Sequence, residues 1–238
     1  MIPKIIHYCW FGGNPLPPLA TKCMESWKKY CGEFEIKEWN ETNFDINMTN
    51  YSKGAAIADK WAFVADVARF YVMYNYGGIY FDVDVEIVKP IDKLLNSDMF
   101  IGFESEHEIN TGQGFGAEKN FYLVEKMLDT YKEMPFINPD GTYNTTPSPK
   151  YTSAMMKSEG FVMDNIRQTI GDIEVYPSEY FCPKEWRSGE VEITENTHTI
   201  HHFMASWWSE EEKKGHESKM RFHKMARRYQ RANQNKEI

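Results

Sequence analysis

Apolar side chains occupy every second position of the stretch from Ile79 to Val88, Ile-Tyr-Phe-Asp-Val-Asp-Val-Glu-Ile-Val, which is the pattern of one buried β-strand. Ile79, Phe81, Val83, Val85 and Ile87 fall on one face, and Tyr80, Asp82, Asp84 and Glu86 on the other, so Asp82 and Asp84 are expected to point the same way. Just before it, Asp59 to Tyr76 reads as a helix with apolar residues around most of its surface, among them Trp61, Phe63, Val64, Val67, Phe70, Tyr71 and Met73. Such a helix is largely buried, and Gly77-Gly78 ends it.

The same patterns, taken in order, predict a first strand within Pro3 to Trp10, a turn-rich loop at Phe11 to Pro15, and a helix from Leu19 to Tyr30 with Leu19, Cys23, Met24 and Trp27 in the core. Phe34 to Trp39 alternates apolar and charged residues as a half-exposed strand does, and Asn40 to Asn50 reads as a polar loop. After the acidic strand, Lys89-Pro90 is a stop, Ile91 to Leu95 a turn of helix and Met99 to Phe103 a short strand. Ser105 to Glu118 reads as a loop whose Gly112, Gly114 and Gly116 suggest close approach of the backbone to a ligand or a neighbouring segment. The spacing is not the dinucleotide-binding fingerprint. Helices are expected at Phe121 to Met134 and Thr152 to Glu159, a long surface loop at Pro135 to Pro149, and strands within Glu174 to Pro183 and Thr197 to Trp208.

With 238 residues, 42% of them hydrophobic, the chain can fill one sizeable core, and a single α/β domain over residues 1–208 is expected, followed by a basic helical tail over 209–238. The formal charge of -8 is uneven: nine Lys/Arg against two Glu from Lys213 onward give +7, leaving -15 on residues 1–212. Phe222, Met225, Ala226 and Tyr229 recur at helical spacing in that tail among Lys219, Arg221, Lys224, Arg227, Arg228 and Arg231. That pattern fits either a helix packed on the domain or one making peripheral contact with an anionic membrane surface. Cys9, Cys23, Cys31 and Cys182 have neither metal-site nor redox spacing, and no apolar run approaches the roughly 20 residues of a membrane span. A reduced, cytoplasmic setting is the expectation, and nothing marks a nucleic-acid partner.

Paired acids on a mostly apolar strand repel and are costly to bury, and the usual compensation is a hard cation such as Mn2+ or Mg2+. The alternative is a strand rim whose acids are simply solvated. Asp66 and Arg69, three residues apart on the helix, form either an ion pair of structural importance only or a hydrogen-bonding fork for hydroxyls and phosphate oxygens. Trp10, at a strand's C-terminal end, either stacks on a planar base or caps the core. His201 and His202 project to opposite faces, so one of the two at most reaches a given ion.

Four stretches then converge on one family: Ile-Pro-Lys-Ile-Ile-His-Tyr-Cys-Trp-Phe-Gly-Gly from Ile2, Lys60 to Arg69, Tyr76 to Asp84, and Ile200-His201-His202-Phe203 with Ser206-Trp207. Together they resemble glycosyltransferase family 32, the DXD-containing sugar transferases of capsule and lipopolysaccharide synthesis, over roughly residues 1 to 208. The resemblance implies a GT-A fold, a Rossmann-like mixed sheet between helices, and a retaining hexosyl transfer from a nucleoside-diphospho sugar, UDP favoured and GDP second, to an oligosaccharide or lipid-linked saccharide. It implies Mn2+ or Mg2+ on Asp82 and Asp84 with His201 or His202, a nucleotide and donor site from Ile6, His7, Trp10, Asp66, Arg69, Ser206 and Trp207, and Glu104 and Asn110 on the reacting face. The family often carries His-His-Trp-Ala-Gly-Ser-Trp where this chain has Phe203, Met204 and Ala205. Two rivals are a metal-dependent nucleotide-sugar or phosphate hydrolase, which needs a second acidic cluster, and a non-catalytic sugar-binding module.

Overall fold

Apolar on both faces, β1 (Ile5–Cys9) lies inside the sheet of the computed structural model, with parallel neighbours β2 (Glu35–Trp39) and β3 (Gly78–Tyr80) on either side. All residues are described except 206, 207, 209 and 235–238, and residues 210 and 226–234 are described as helix backbone alone. From β3 the sheet continues through β7 (Phe115–Ala117), β5 (Met99–Phe103), β9 (Ile173–Tyr176) and β8 (Gln168–Ile170), with β6 (Ile109–Asn110) paired to β5, making eight strands of mixed direction. Helix α1 (Pro18–Tyr30) covers one face. Helices α2 (Asn50–Ile57), α3 (Trp61–Tyr76), α4 (Tyr122–Lys132) and α5 (Ser148–Ser158) cover the other. Alternate residues of β5 divide between the two cores, Met99, Ile101 and Phe103 on the α3 side and Phe100 on the α1 side.

The acidic stretch is not one strand. β3 ends at Tyr80, the backbone turns through residues 81–84, and β4 (Val85–Ile87) resumes in a separate ribbon, antiparallel to β10 (Thr199–His201). Two backbone bonds fix the turn: Val85 N–H donates to the Asp82 carbonyl at 3.1 Å and Asp82 N–H to the Gly112 carbonyl at 2.8 Å. The apolar alternation nevertheless marks one core, since Ile79, Phe81, Val83, Val85 and Ile87 all fall in the cluster beneath α1. Burial of that stripe is continuous across the break, so periodicity alone does not reveal it.

The glycine-rich segment is the second correction, because residues 105–118 hold β6 and β7 and are not a loop throughout. Glycine is a poor strand former, and here the missing side chains are what the sheet requires. A Cβ on Gly114 would come within 2.7 Å of the Phe81 ring, and one on Gly116 would collide with Phe100. Helix α2, absent from the periodicity, is started by a capping box in which the Thr49 hydroxyl accepts from Ser52 N–H at 3.0 Å and Ser52 faces back. The tail is a single helix, α6 (Glu210–Gln234), about 37 Å long at 1.5 Å per residue. No helix among the described residues is long and apolar enough to cross a membrane.

Candidate active site

Beyond the C-terminal ends of β1 and β3 opens a cleft of about 1540 Å³, in the position where open α/β sheets bind ligands. Its walls bring together Trp10, Asp66, Arg69, Asp82, Asp84, Glu104, Asn110 and His201 from strands, helix and turns far apart in sequence.

Helix α3 builds one wall. Asp66 and Arg69 lie one turn apart on a buried face, and the Arg69 guanidinium reaches Asp66 at 3.2 Å, Asp82 at 3.1 Å and the Thr111 hydroxyl at 3.0 Å. Its plane lies 4.9 Å over the ring of Tyr80, whose hydroxyl donates to the same Asp82 oxygen at 3.0 Å. Both Arg69 and Tyr80 therefore claim Oδ1 of Asp82, and Oδ2 remains for a ligand. That oxygen occupies the space a side chain at position 112 would fill, which is why Gly112 stands there. Burial lifts the Asp66 carboxyl to about 7 against the pull of Arg69, with the Asp82 charge adding to the rise.

The ribbon of β4 and β10 builds the other wall. Asp84 is 5% exposed, its Oδ1 lies 3.5 Å from His201 Nε2, and its Oδ2 accepts the Met204 N–H at 2.6 Å. Burial opposes ionisation of Asp84, but His201 and the backbone donors prevail and bring its carboxyl down to about 2. His201 is driven the opposite way: burial works against its charged form, and Asp84 overrides it, raising the imidazole well above its ordinary range. His201 Nδ1 is buried without a hydrogen-bond partner, 4.0 Å from Glu104. Glu104, half-buried and bonded by the Asn110 amide, is shifted upward by desolvation despite the opposing His201. Phe203 and Ala205 adopt φ of 57° and 46°, the left-handed region that favours glycine, and this twist aims the Met204 N–H at Asp84.

Oxygen or nitrogen atoms of Asp82, Asp84 and His201 all lie within 4.8 Å of one another. Two carboxylates and an imidazole form a donor set suited to Mn2+ or Mg2+, with water and phosphate oxygens completing the shell. The orphaned His201 Nδ1 and the free Asp82 Oδ2 fit that assignment.

The structure separates the other expected site residues. Ile6 is fully buried in the core beneath α1, and His7, also fully buried, bonds the Gly77 carbonyl at 2.8 Å and the Trp39 indole at 3.0 Å. Neither reaches the cleft: two inward-facing neighbours in a central strand have both faces covered. His202 turns away from the cation site to Glu86, 2.8 Å off, so of the two histidines His201 faces it. Trp10 lines the cleft, its indole N–H on the Asn14 carbonyl at 2.6 Å. Ser206 and Trp207 lie outside the described residues. Sequence reasoning missed Thr111, Tyr80 and Lys184. Tyr80 carried a signal, being two residues before Asp82 on the same strand face, whereas Thr111 and Lys184 carried none.

Residues 17–101 match the family described as "glycosyltransferase sugar-binding region containing DXD motif". The fold is the GT-A fold. The solved structure of the PaToxG glycosyltransferase aligns with a TM-score of 0.52 at 15% identity, over 67% of this chain and 69% of that one. Residues 17–101 are thus similar to the sugar-binding region of DXD-containing glycosyltransferases, and the solved structure shares the fold. In sequence it is similar to inositol phosphoceramide mannosyltransferase 3 of Schizosaccharomyces pombe, 30% identical over 127 residues, which is 51% of this chain and 35% of that protein. Inositol phosphoceramide mannosyltransferase 1 of the same yeast is 28% identical over 107 residues, 42% of this chain and 33% of that protein. The chain thus spans about a third of the length of these relatives.

Proposed function

We propose that this chain is a divalent-metal-dependent hexosyltransferase that moves a sugar, with retention, from a nucleoside-diphospho donor to a saccharide acceptor of cell-surface glycan or glycolipid synthesis. The observation that carries the reading is the convergence of Asp82, Asp84 and His201 at the floor of a cleft with an aromatic ring, Trp10, in its wall.

Asp84 and His201, with Asp82 Oδ2, would hold Mn2+ or Mg2+, which supplies Lewis-acid stabilisation of the departing diphosphate. Trp10 offers its face to the base, with UDP favoured and GDP second. Arg69 and Asp66 present a fixed donor and acceptor pair to the sugar hydroxyls, held by the Asp82 and Thr111 contacts. Retention requires a carboxylate beneath the anomeric carbon or attack from the leaving group's side. Glu104, bonded by the Asn110 amide, lines the same cleft. Among the described residues one acid-rich group could hold a cation, so the second metal of a hydrolase has no counterpart there.

The similarity to inositol phosphoceramide mannosyltransferases supports including mannose among the sugars and inositol phosphoceramide among the acceptors to be tried. A lipid-linked acceptor would suit a chain on the inner face of a membrane, held there by the basic tail. The test is a panel of UDP- and GDP-hexoses with Mn2+, monitoring release of free nucleotide with and without chelator. Chelator-sensitive release of one nucleotide is expected. No release from any donor, with no Mn2+-dependent thermal protection by UDP or GDP, would discard the reading. Trp10→Ala should weaken nucleotide binding by about 1–3 kcal/mol, as loss of base stacking does, and unchanged affinity would assign Trp10 to the core.

A further inference from the structure

Carboxylates outnumber cations along the cleft, with Asp59, Asp66, Asp82, Asp84, Glu104 and Glu106 among them, yet the ligand proposed for it is itself a dianion or more. One divalent cation held by Asp82 and Asp84 leaves the diphosphate in a negative surrounding, so further positive charge is needed close to that cation. Arg69 does not meet the need, since its charge is already shared between Asp66 and Asp82. Lys150 pairs with Glu108 at the rim.

Lys184 is different. It lines the same cleft, is half-buried, and stands where the charge of Asp84 bears on it. Its ammonium donates one bond, 2.6 Å, to the carbonyl of His202, the residue after the candidate metal ligand His201. An ammonium has three N–H groups, and among the described residues none of those on Lys184 meets a carboxylate. The carbonyl tether positions the head beside the ribbon that carries Asp84, since the His202 N–H in turn bonds the Asp84 carbonyl at 3.0 Å. A lysine held by one neutral acceptor at a site rich in acids is poised to take an anionic oxygen.

We infer that Lys184 is a diphosphate-binding residue: with one N–H on the His202 carbonyl, its remaining N–H groups take an oxygen of the donor's diphosphate alongside the cation held by Asp82, Asp84 and His201. The inference rests on the nucleotide-sugar reading of the cleft. It adds to that reading a second, protein-borne positive charge on the group that leaves.

Calorimetry on the full chain separates the two ideas. Kd values would be measured for UDP and for inorganic pyrophosphate in the presence of Mn2+, and for Mn2+ alone, in wild type, Lys184→Gln and Lys184→Met. A charged hydrogen bond lost from such a site should raise both diphosphate Kd values roughly ten- to a hundredfold, while Mn2+ alone binds as well as before or better, because a positive charge beside Asp84 is gone. Lys184→Gln keeps an N–H donor, so a purely structural tether would leave it near wild type and would weaken Mn2+ in step with the diphosphates in Lys184→Met. Either of those results, or diphosphate affinities equal to wild type in folded variants, overturns the assignment. Failure of wild type to bind UDP, GDP or pyrophosphate with Mn2+ removes the nucleotide reading as well.

Discussion

The two walls of the cleft carry carboxylates in opposite conditions. On the α3 wall Asp66 and Asp82 share Arg69, whose guanidinium lies within 3.2 Å of both. On the ribbon wall Asp84 is held ionised near 2 by an imidazole 3.5 Å away, and the backbone that supplies its N–H donor takes positive φ at two non-glycine residues. Folding closes the first wall except at Oδ2 of Asp82; the second is shaped for something that folding does not supply. Rigid recognition of a sugar suits the former, and binding of a cation the latter.

Four experiments break or sharpen that contrast. The largest effect is expected at Arg69: replacement by Met strands Asp66 and Asp82 together in a buried site and should cost about 3–5 kcal/mol in urea denaturation, whereas a loss below 1 kcal/mol would mean the wall is not held by charge. Asp84→Asn should leave the fold intact, at some cost in stability from the lost pairing with His201, and lower sugar-nucleotide turnover roughly a hundredfold or more at saturating Mn2+, and near-normal turnover would remove Asp84 from the site.

The third concerns pH. Asp66 has its carboxyl raised in the fold, from 3.8 to about 7, so the folded chain binds that proton more tightly than the unfolded one. Its contribution is therefore most favourable below about pH 4 and is lost as pH rises toward 7. Asp66→Asn removes this dependence, and in the presence of chelator its stability relative to wild type should improve steadily as pH rises from 4 to 8. A pH-independent difference would show that folding does not shift the Asp66 carboxyl. The smallest effect is on the ribbon wall, where Ala205→Gly should raise stability by about 1 kcal/mol by relieving a φ of 46°, and a loss would show that the turn is not strained.

Much of the α3 wall was legible in the sequence. Helix α3 and strands β1 and β5 are apolar runs bounded by turn residues, and the three-residue spacing of Asp66 and Arg69 sufficed to put them on one face. The ribbon wall was less so. The turn at 81–84 keeps the apolar alternation of a strand because both its flanks bury into the same cluster, and a pattern of burial cannot distinguish a strand from two half-strands in different sheets. His201 was narrowed to one of two by alternation, but choosing it required knowing that β10 pairs with β4. Helix α2 was missed because Gly54, Ala55 and Ala56 give a weak stripe, although the Thr49 and Ser52 capping pair was there to be seen. Ile6 and His7 failed as ligand contacts because a motif identifies a segment, while the sheet decides which of its residues faces out.

The glycines of β7 and its approach are moulds for their neighbours. The space a side chain would take at Gly116 is filled by the ring of Phe100, at Gly114 by Phe81 and at Gly112 by the carboxylate of Asp82, while Gly102 on β5 makes room in the same way for Phe181. Each pair is a single volume shared by two positions, so neither member can vary alone. Evolutionary drift at these sites must then be concerted: a chain of this fold that carries alanine or serine at position 116 should have exchanged the ring at 100 for something smaller. At Gly112 no such exchange is open, because the partner is a carboxylate of the proposed chemistry, and that glycine should be the slowest of the four to change.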